Sequence, residues 1–327
     1  MLRNPVVKIG DVEVLNIGDP HLGKKWNTAN SESKSILSQL QWHIFKQFVC
    51  HSEQPVKVII GDIFDKPNVD EATLLRTYEI LKETNGKVYI LEGNHDSSKT
   101  SLEKTSFDVL EMLVKDLDNV IIIRGVINTY IGGVSVSFIG WEYKNTIAEQ
   151  IEKYLSPDTE VLYTHVDFTS YGKNVENVLP FEKLPPSVKT AINGHEHLPL
   201  RSKEGNVNYI GTGSMLPFDR SQQHSSDNGT YADLFITIFK GDDLDPEEWK
   251  DKLVYYQTDE PMDLPEFEGS YGVILKRSIH NDGSLDVLLE MDEISIPALL
   301  AKAAVITGLT DDVVSDLVAE FEGLEDE

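Results

Sequence analysis

Five short segments rich in Asp, Asn and His each follow directly after an apolar run of the chain. Short runs of apolar and β-branched residues are typical of buried β-strands. In open α/β sheets, ligands bind beyond the carboxyl ends of the strands, so polar segments at strand ends converge although the sequence separates them. The pattern predicts one polar site assembled from five loops: Gly18–Gly23, Gly61–Asp65, Gly93–Asp96, Thr164–His165 and Gly194–His197.

Strand-like runs recur as far as residue 239 and alternate in several places with helical patterns. Apolar residues at helical spacing predict the helices Ser35–Val49 and Glu71–Leu81. Because helices alternate with apolar strands, we expect an α/β region with a largely buried mixed sheet. The predicted strands are Val12–Ile17, Val56–Ile60, Val88–Leu91, Val120–Ile123, Val134–Ile139, Val161–Tyr163, Thr190–Ile192, Val207–Ile210 and Leu234–Phe239.

The end of the chain differs in charge from the rest, since residues 241–327 hold 24 of the 55 acidic residues and 5 of the 29 basic ones. Acidic stretches with prolines at 241–248 and 259–266 are typical of surface loops and linkers. We therefore expect one domain over residues 1–258 and a C-terminal region over 259–327.

The C-terminal region begins with two strand-like runs, Tyr271–Ser278 and Ser284–Glu290, on either side of an Asp-Gly pair that favours a hairpin. A helix is expected after Thr310, which is a suitable N-cap. The apolar stripe of that helix, Val313–Phe321, either packs on its own domain or docks on a partner.

Composition limits the class of protein. The net charge of −26 argues against a protein that holds nucleic acid by bulk electrostatics alone. The single cysteine, Cys50, cannot form an intramolecular disulfide and fits a reducing compartment. No stretch approaches the roughly 20 apolar residues that cross a bilayer, and the first residues lack a signal-peptide pattern, so we expect no membrane association and a cytoplasmic location.

The five polar segments supply imidazole nitrogens and carboxylate or amide oxygens but no thiolate. Such a set suits Mn²⁺, Fe²⁺ or Zn²⁺. Seven ligands are too many for one tetrahedral ion but suit two ions that share a carboxylate, and a two-metal site clamps the attacking and leaving oxygens of a phosphoryl displacement. The pattern favours phosphoester hydrolysis, with the candidate ligands Asp19, His21, Asp62, Asn94, His165, His195 and His197.

The ordered motifs Gly-Asp-Pro-His, Gly-Asp-Ile-Phe-Asp, Gly-Asn-His-Asp and Gly-His-Glu-His resemble the calcineurin-like metallophosphoesterase superfamily. Within it, the spacing and Asn208–Ser214 resemble SbcD-type DNA-repair nucleases, and the shortness of the chain resembles the recombination endonuclease subunits of tailed bacteriophages. The resemblance covers roughly residues 12–220. It implies an αββα sandwich with a small α+β C-terminal region like a capping domain.

The resemblance also implies a role for each candidate ligand. Asp19, His21 and His197 would hold one ion, Asn94, His165 and His195 would hold the other, and Asp62 would bridge them. His95 would not be a ligand but would donate a proton or hydrogen bond to the phosphate or leaving oxygen. Asp96 would orient His95 through its second ring nitrogen.

The resemblance further implies a DNA substrate, exonuclease activity with some endonuclease activity, and Mn²⁺ as the favoured ion, with Mg²⁺, Fe²⁺ or Zn²⁺ as alternatives. It implies a homodimer assembled with an SbcC-type coiled-coil ATPase in recombination, repair or replication. A phage-encoded chain would act in the host cytoplasm.

The sequence leaves two other functions open. A phosphatase or small-molecule phosphodiesterase of the same superfamily would hydrolyse a cyclic nucleotide or phosphopeptide and leave DNA intact. Where protein phosphatases carry an arginine after the second motif, this chain has 65–68 Asp-Lys-Pro-Asn, which weighs against phosphoprotein substrates. A scaffold that keeps the fold without catalysis would lack ligands, and this sequence lacks none of them.

Several residues near the motifs have two interpretations. Cations and an aromatic ring could meet phosphates or a base, or could be part of solvated loops: Lys24, Lys25, Trp26, Arg201 and Arg220. Asp65 either belongs to the site or caps the helix near Glu71 and orders its loop. We expect His43, His51, His224 and His280 not to be ligands, and Cys50 to be a buried apolar residue.

Overall fold

The structure is a computed structural model that describes residues 6–26, 31–98, 104–141, 146–168, 178–197, 199–216, 235–242, 244–258, 267–270 and 272–277. Two sheets and four helices form its main part. The predicted α/β class is confirmed. The predicted C-terminal hairpin partner, the helix after Thr310 and its apolar stripe lie outside the described residues, as do Arg220, His224 and His280.

The first sheet has five strands, four of which run parallel. Antiparallel pairing joins its first two strands, and the order in space follows the order in the chain. The strands are β1 (Val6–Ile9), β2 (Val12–Gly18), β3 (Val56–Ile60), β4 (Lys87–Leu91) and β5 (Val120–Ile123). Three helices accompany this sheet: α1 (Ser31–Cys50), α2 (Glu71–Glu83) and α3 (Ser106–Val114).

The second sheet has six strands in the order β10-β11-β9-β8-β7-β6, with parallel pairing in its centre and an antiparallel strand at each edge. These strands are β6 (Val126–Ile131), β7 (Val134–Ile139), β8 (Val161–Thr164), β9 (Thr190–Asn193), β10 (Leu200–Glu204) and β11 (Val207–Gly211). A short helix, α4 (Ile147–Tyr154), lies against this sheet.

The two sheets pack face to face through an apolar core, and helices cover their outer faces. An aromatic stack joins the sheets, because the ring of Phe138 lies 4.9 Å from that of Tyr89 and 5.0 Å from that of Tyr163. The layers are therefore helix, sheet, sheet and helix. Because the inner strands are buried on both faces, their sequences are continuous apolar runs, which explains why the sequence located them.

A third, three-stranded sheet contains β12 (Phe235–Phe239), β13 (Leu253–Thr258) and β14 (Gly272–Arg277). The chain divides into two compact units, one of Met1–Thr258 with Met262–Lys276 and one of Asp259–Pro261 with Arg277–Glu327. The domain boundary predicted at residue 258 stays a prediction. Among the described residues, no helix combines the length and apolar character needed to cross a bilayer.

Replacing Phe138 with alanine should lower the free energy of unfolding by about 3–5 kcal/mol, because a buried ring leaves a cavity between two well-packed sheets. The matched control is Tyr163→Phe. The Tyr163 hydroxyl is buried without a hydrogen-bond partner among the described residues, so its removal should be neutral or stabilising. Urea denaturation measures both variants, and a Tyr163→Phe loss as large as that of Phe138→Ala would contradict this packing.

Candidate metal centre

The loops after β2, β3, β4, β8 and β9 meet at one edge of the two sheets, as the strand-end pattern predicts. Their backbones are unusual at the candidate ligands. Asp19, His21, Asp62 and His195 have positive φ angles of 41°, 45°, 48° and 69°. Side chains other than glycine rarely adopt this conformation, and it persists only where the surroundings hold it in place.

Two glycines make room for the ligands that they neighbour. A Cβ on Gly61 would lie 2.0 Å from Nδ1 of His165, and one on Gly93 would lie 2.1 Å from Oδ1 of Asp62. Both distances are far below a normal contact. Gly61 and Gly93 are therefore needed for more than turn formation. Without a side chain, they allow His165 and Asp62 to approach the backbone closely.

The first ligand group consists of Asp19, His21 and His197. One atom from each, a carboxylate oxygen or ring nitrogen, lies within 4.8 Å of the others. The Nε2 atoms of His21 and His197 are 3.1 Å apart, and their rings meet edge to face. Two imidazole nitrogens directed at one point beside a carboxylate oxygen form an arrangement that suits a divalent cation.

The second ligand group consists of Asn94, His165 and His195. The amide oxygen of Asn94 lies 3.1 Å from Nε2 of His165 and 2.9 Å from Nδ1 of His195. His165 donates its Nδ1 hydrogen to the carbonyl oxygen of Ile60 at 2.8 Å. This hydrogen bond fixes the tautomer that presents Nε2 to the centre, as is usual for histidines that bind metals.

The carboxylate of Asp62 lies between the two groups and faces each with a different oxygen. Its Oδ2 is 3.6 Å from Nε2 of His21, and its Oδ1 is 3.3 Å from Nε2 of His165. The backbone N–H of His95 also donates to Oδ1 at 2.8 Å. A side chain in this position can supply one oxygen to each of two ions, which is the bridging position that the family resemblance implies for it.

The electrostatics of the centre favour positive charge. Burial raises the pKa of Asp19 well above its usual range, and its Oδ2 has no hydrogen-bond partner among the described residues. Burial lowers the pKa of His165, but the Asp62 carboxylate more than offsets this and raises it to about 9. Burial and the nearby His21 lower the pKa of His197 to about 3, so its ring stays neutral. In the metal-free centre, burial disfavours charge at Asp19 and His197, whereas Asp62 holds His165 in its charged form, so a divalent cation would bind with release of protons.

His95 lies at the side of the first ligand group, with its ring 4.8 Å from that of His21 and nearly perpendicular to it. Its Nδ1 donates to the carbonyl oxygen of Asp65 at 2.7 Å. A ring nitrogen of His95 also lies within 4.8 Å of ligand atoms of His21 and Asp62. With Nδ1 engaged, Nε2 is the ring nitrogen that can reach a substrate.

The predicted role of Asp96 as the partner of His95 is wrong. Both oxygens of its fully buried carboxylate accept backbone N–H groups, from Phe64 at 3.0 Å, Ile63 at 3.2 Å and Gly93 at 2.9 Å. Adjacent side chains in this loop point in different directions. Asp96 instead ties the loop after β3 to the loop after β4, and the Asp65 carbonyl takes the orienting role.

The comparison with protein families decides how this geometry is classified. Residues 12–199 match the calcineurin-like phosphoesterase family, and this match covers more than half of the chain. The chain belongs to this family. The family consists of phosphoesterases that use divalent metal ions. Every candidate ligand lies within the matched range.

Among individual proteins, the chain is 23% identical over 244 residues to the DNA double-strand break repair protein Mre11 of Methanocaldococcus jannaschii. The match covers 71% of this chain and 63% of that protein, so less than two thirds of the relative is represented.

Two solved structures of phosphoesterases are also similar. The phosphopantetheinyl hydrolase PptH of Mycobacterium tuberculosis matches with a TM-score of 0.38 and 12% identity, over 63% of this chain and 91% of that one. An archaeal phosphodiesterase matches with a TM-score of 0.31 and 14% identity, over 62% of this chain and 84% of that one.

Residues that the sequence did not single out hold the ligands of this phosphoesterase in place. Oδ1 of Asp167 is 3.0 Å from Nε2 of His195, and the ring of Trp141 stacks on the other side of His195 at 5.6 Å. The buried amide of Gln41 on α1 donates to the carbonyl oxygens of Pro20 and His21 at 2.8 and 2.9 Å. Gln41 could have been identified from the sequence, because it is a polar residue within the apolar pattern of a predicted helix.

The predicted substrate contacts have mixed outcomes. Lys25 and Arg201 are exposed, and Lys24 forms an ion pair with Asp65 at 3.1 Å. Trp26 is only 5% exposed and packs in the core with α1, so its expected role as a surface platform for a base is wrong. Asp70, and not Asp65, caps α2.

Two other histidines and Cys50 are among the described residues, and their positions can be compared with the expectations from the sequence. His43 and His51 are exposed and lie outside the three groups of potential metal ligands found among the described residues. The Cys50 thiol is buried and donates to the carbonyl oxygen of Ile80.

Asp19→Asn should change the stability of the metal-free protein little, because burial already favours the neutral carboxyl group, and should weaken metal binding, because it removes a carboxylate from the first ligand group. We expect bound Mn²⁺ to fall from about two ions per chain to about one. Mass spectrometry of the metal content and thermal unfolding with and without Mn²⁺ measure the two effects. The control is Asp116→Asn, which changes an exposed carboxylate. Two tightly bound ions in Asp19→Asn would contradict the assignment.

Asp167→Ala should lower the affinity for one of the two Mn²⁺ ions by about 10–100-fold, because the Asp167 carboxylate fixes the tautomer and orientation of His195. Asp167→Asn keeps an acceptor for the Nε2 hydrogen and should lose less affinity. Calorimetric titration of metal-free protein resolves the two ions. Equal weakening of both ions, or none, would show that Asp167 does not act through His195.

Proposed function

We propose that this chain is a metal-dependent DNA nuclease that hydrolyses phosphodiester bonds as an exonuclease with some endonuclease activity. One observation carries this proposal: two groups of metal-ligating side chains share the Asp62 carboxylate, and His95 lies beside them. Two adjacent cations suit phosphoester hydrolysis, because they can hold the attacking and leaving oxygens of the phosphate together.

DNA is the substrate favoured within the family. A relative that is named as a DNA double-strand break repair protein, from Methanocaldococcus jannaschii, aligns with 71% of this chain. The sequence 65–68 Asp-Lys-Pro-Asn also lacks the arginine of the protein phosphatases. We infer from the relative's named role that the chain acts in DNA recombination, repair or replication.

The side chains have separate tasks in the proposed reaction. Asp19, His21 and His197 would hold one ion, Asn94, His165 and His195 would hold the second, and Asp62 would serve both. The bound ions, with Mn²⁺ favoured over Mg²⁺, Fe²⁺ and Zn²⁺, supply charge neutralisation for the phosphate and acidify water.

His95 acts on the substrate in this mechanism. Its Nδ1–H is held by the Asp65 carbonyl, so the ring keeps a fixed orientation beside His21. Nε2 then donates a proton or hydrogen bond to the departing oxygen of the DNA strand. The Asp65 carbonyl can only accept this hydrogen bond, so the contact holds the His95 ring in position.

The proposed assembly is a homodimer that works with an SbcC-type coiled-coil ATPase in the cytoplasm, or in the host cytoplasm if a phage encodes it. The C-terminal region, residues 259–327, is proposed as the capping and partner-binding part.

His95→Ala should lower kcat for DNA hydrolysis by about 10²–10⁴-fold and leave about two Mn²⁺ ions bound, because proton donation is lost but the ligands remain. End-labelled linear DNA, single- and double-stranded, is incubated with Mn²⁺, and the products are separated on a sequencing gel. His51→Ala, an exposed histidine outside the site, is the matched control, and EDTA should abolish cleavage.

The same assay can also reject the proposed nuclease function. Cyclic nucleotides and a phosphopeptide are tested alongside DNA under identical conditions. Rapid hydrolysis of either small substrate, with intact DNA and about two bound ions, would identify a phosphatase or small-molecule phosphodiesterase instead.

A further inference from the structure

Three loops that the sequence separates come together beside His95. Asp65 donates its backbone N–H to the carbonyl of Leu22, which joins residues 22–26 to residues 63–69. Ser106 donates its backbone N–H to Pro67 at 2.7 Å, and its hydroxyl accepts from the N–H of Val69 at 3.0 Å. The starts of α2 and α3 are thereby held next to the loop that follows β2.

These loops have an unusual charge for this protein. Residues 24–26, 65–69 and 104–106 contain four lysines and one carboxylate, although the whole chain has a net charge of −26. Lys25 and Lys66 are exposed. The Lys104 side chain is 84% exposed and its ammonium lies 4.0 Å from the Asp108 carboxylate, a distance at the limit of an ion pair. We name the four lysines the lysine rim: Lys24, Lys25, Lys66 and Lys104.

The lysine rim is connected to the candidate catalytic groups through one residue. Asp65 accepts the Nδ1 hydrogen of His95 at its carbonyl and an ammonium hydrogen of Lys24 at its carboxylate. Its Oδ1 is also 3.5 Å from Nδ1 of His21. The rim therefore borders the first ligand group on the side where His95 lies.

The other side of the centre has the opposite charge. The loops beside the second ligand group, residues 166–168 and 194–197, contain Asp167 and Glu196 and no lysine or arginine. Asp167 pairs with His195, and Glu196 accepts the backbone N–H of Phe168 at 2.7 Å. A polyanion that reaches the centre therefore meets cations along one flank and carboxylates along the other.

We propose that the lysine rim binds backbone phosphates of the DNA strand on one side of the scissile phosphate. This inference rests on the proposed nuclease function and names the contacts that its substrate makes. Phosphate contacts fix the register of a protein on DNA without reading its sequence. A few lysines can contribute to DNA affinity at this place, because each phosphate that they contact releases counterions.

The test uses the full-length Lys66→Gln/Lys104→Gln double variant and a matched control, Lys82→Gln/Lys115→Gln. Lys82 and Lys115 are exposed and lie at the C-terminal ends of α2 and α3, whereas Lys66 and Lys104 precede the N-terminal ends of these helices. Fluorescence anisotropy with labelled single-stranded DNA in Ca²⁺ gives Kd at several salt concentrations. Cleavage of DNA and of bis-p-nitrophenyl phosphate in Mn²⁺ is measured in parallel.

We expect the rim variant to bind DNA about tenfold more weakly at low salt, with the slope of log K against log salt reduced by about 1.4, or about 0.7 per lost phosphate contact. Its hydrolysis of bis-p-nitrophenyl phosphate should be unchanged, since this ester has no flanking phosphates. The control variant should match the wild type in all assays. A rim variant with wild-type DNA affinity and salt slope overturns the inference.

The outcomes separate this inference from the proposed function. If the wild type binds DNA through the rim but hydrolyses only the small ester, the nuclease function fails and the rim remains supported as a DNA contact. If DNA is cleaved and the rim variant cleaves and binds it as well as the wild type does, the nuclease function stands and the rim inference fails.

Discussion

The buried carboxylate of Asp62 is the constraint on which the rest of the centre depends. It contacts His21 with one oxygen and His165 with the other, and only 1% of the residue is exposed. Burial opposes the charge, but the histidines hold the pKa of Asp62 below its usual range, so it stays ionised. An ionised carboxylate in this position must be surrounded by partners, and the convergence of five loops supplies them.

Several features with no catalytic task are explained by that requirement. A side chain on Gly93 would overlap Oδ1 of Asp62, and the Asp96 carboxylate holds the two loops together through three backbone N–H groups. The positive φ angles at Asp19, His21 and Asp62 also raise the energy of the metal-free fold. The face-to-face sheet core offsets these costs, which is a common compromise between stability and function.

Buried strands and the residues at their ends could be predicted from the sequence, whereas contacts made by tertiary packing could not. β3, β5 and β7 have the predicted bounds, because their apolar runs lie in the buried core. β1, β6 and β10 were missed because edge strands that are partly exposed give weak signals. β13 was also missed, although Leu253 and Val254 in it are buried. The seven candidate ligands could be identified because they cluster directly after strands, whereas the role of Asp167 depends on its approach to His195 in the folded chain.

Adjacency in sequence was a poor guide to contact within these loops. Asp96 follows His95 directly, yet it binds the backbone of the loop after β3, and the carbonyl of Asp65 orients His95 from 30 residues away. Trp26 follows two polar lysines but turns into the core. In a loop that is held from several directions, neighbouring side chains alternate between the core, the metal centre and solvent, and only the tertiary contacts decide which way each one points.

The overall negative charge and a DNA substrate are compatible when charge is considered by region. Residues 241–327 hold 24 acidic side chains and 5 basic ones, so most of the excess lies away from the sequence motifs of the centre. Near the centre, carboxylates serve mainly to hold metal ions and histidines, and those ions would reverse the local potential once bound. With the proposed DNA substrate, an acidic chain of this kind would gain specificity from its charge, because nonspecific DNA binding would be suppressed everywhere except where cations are concentrated.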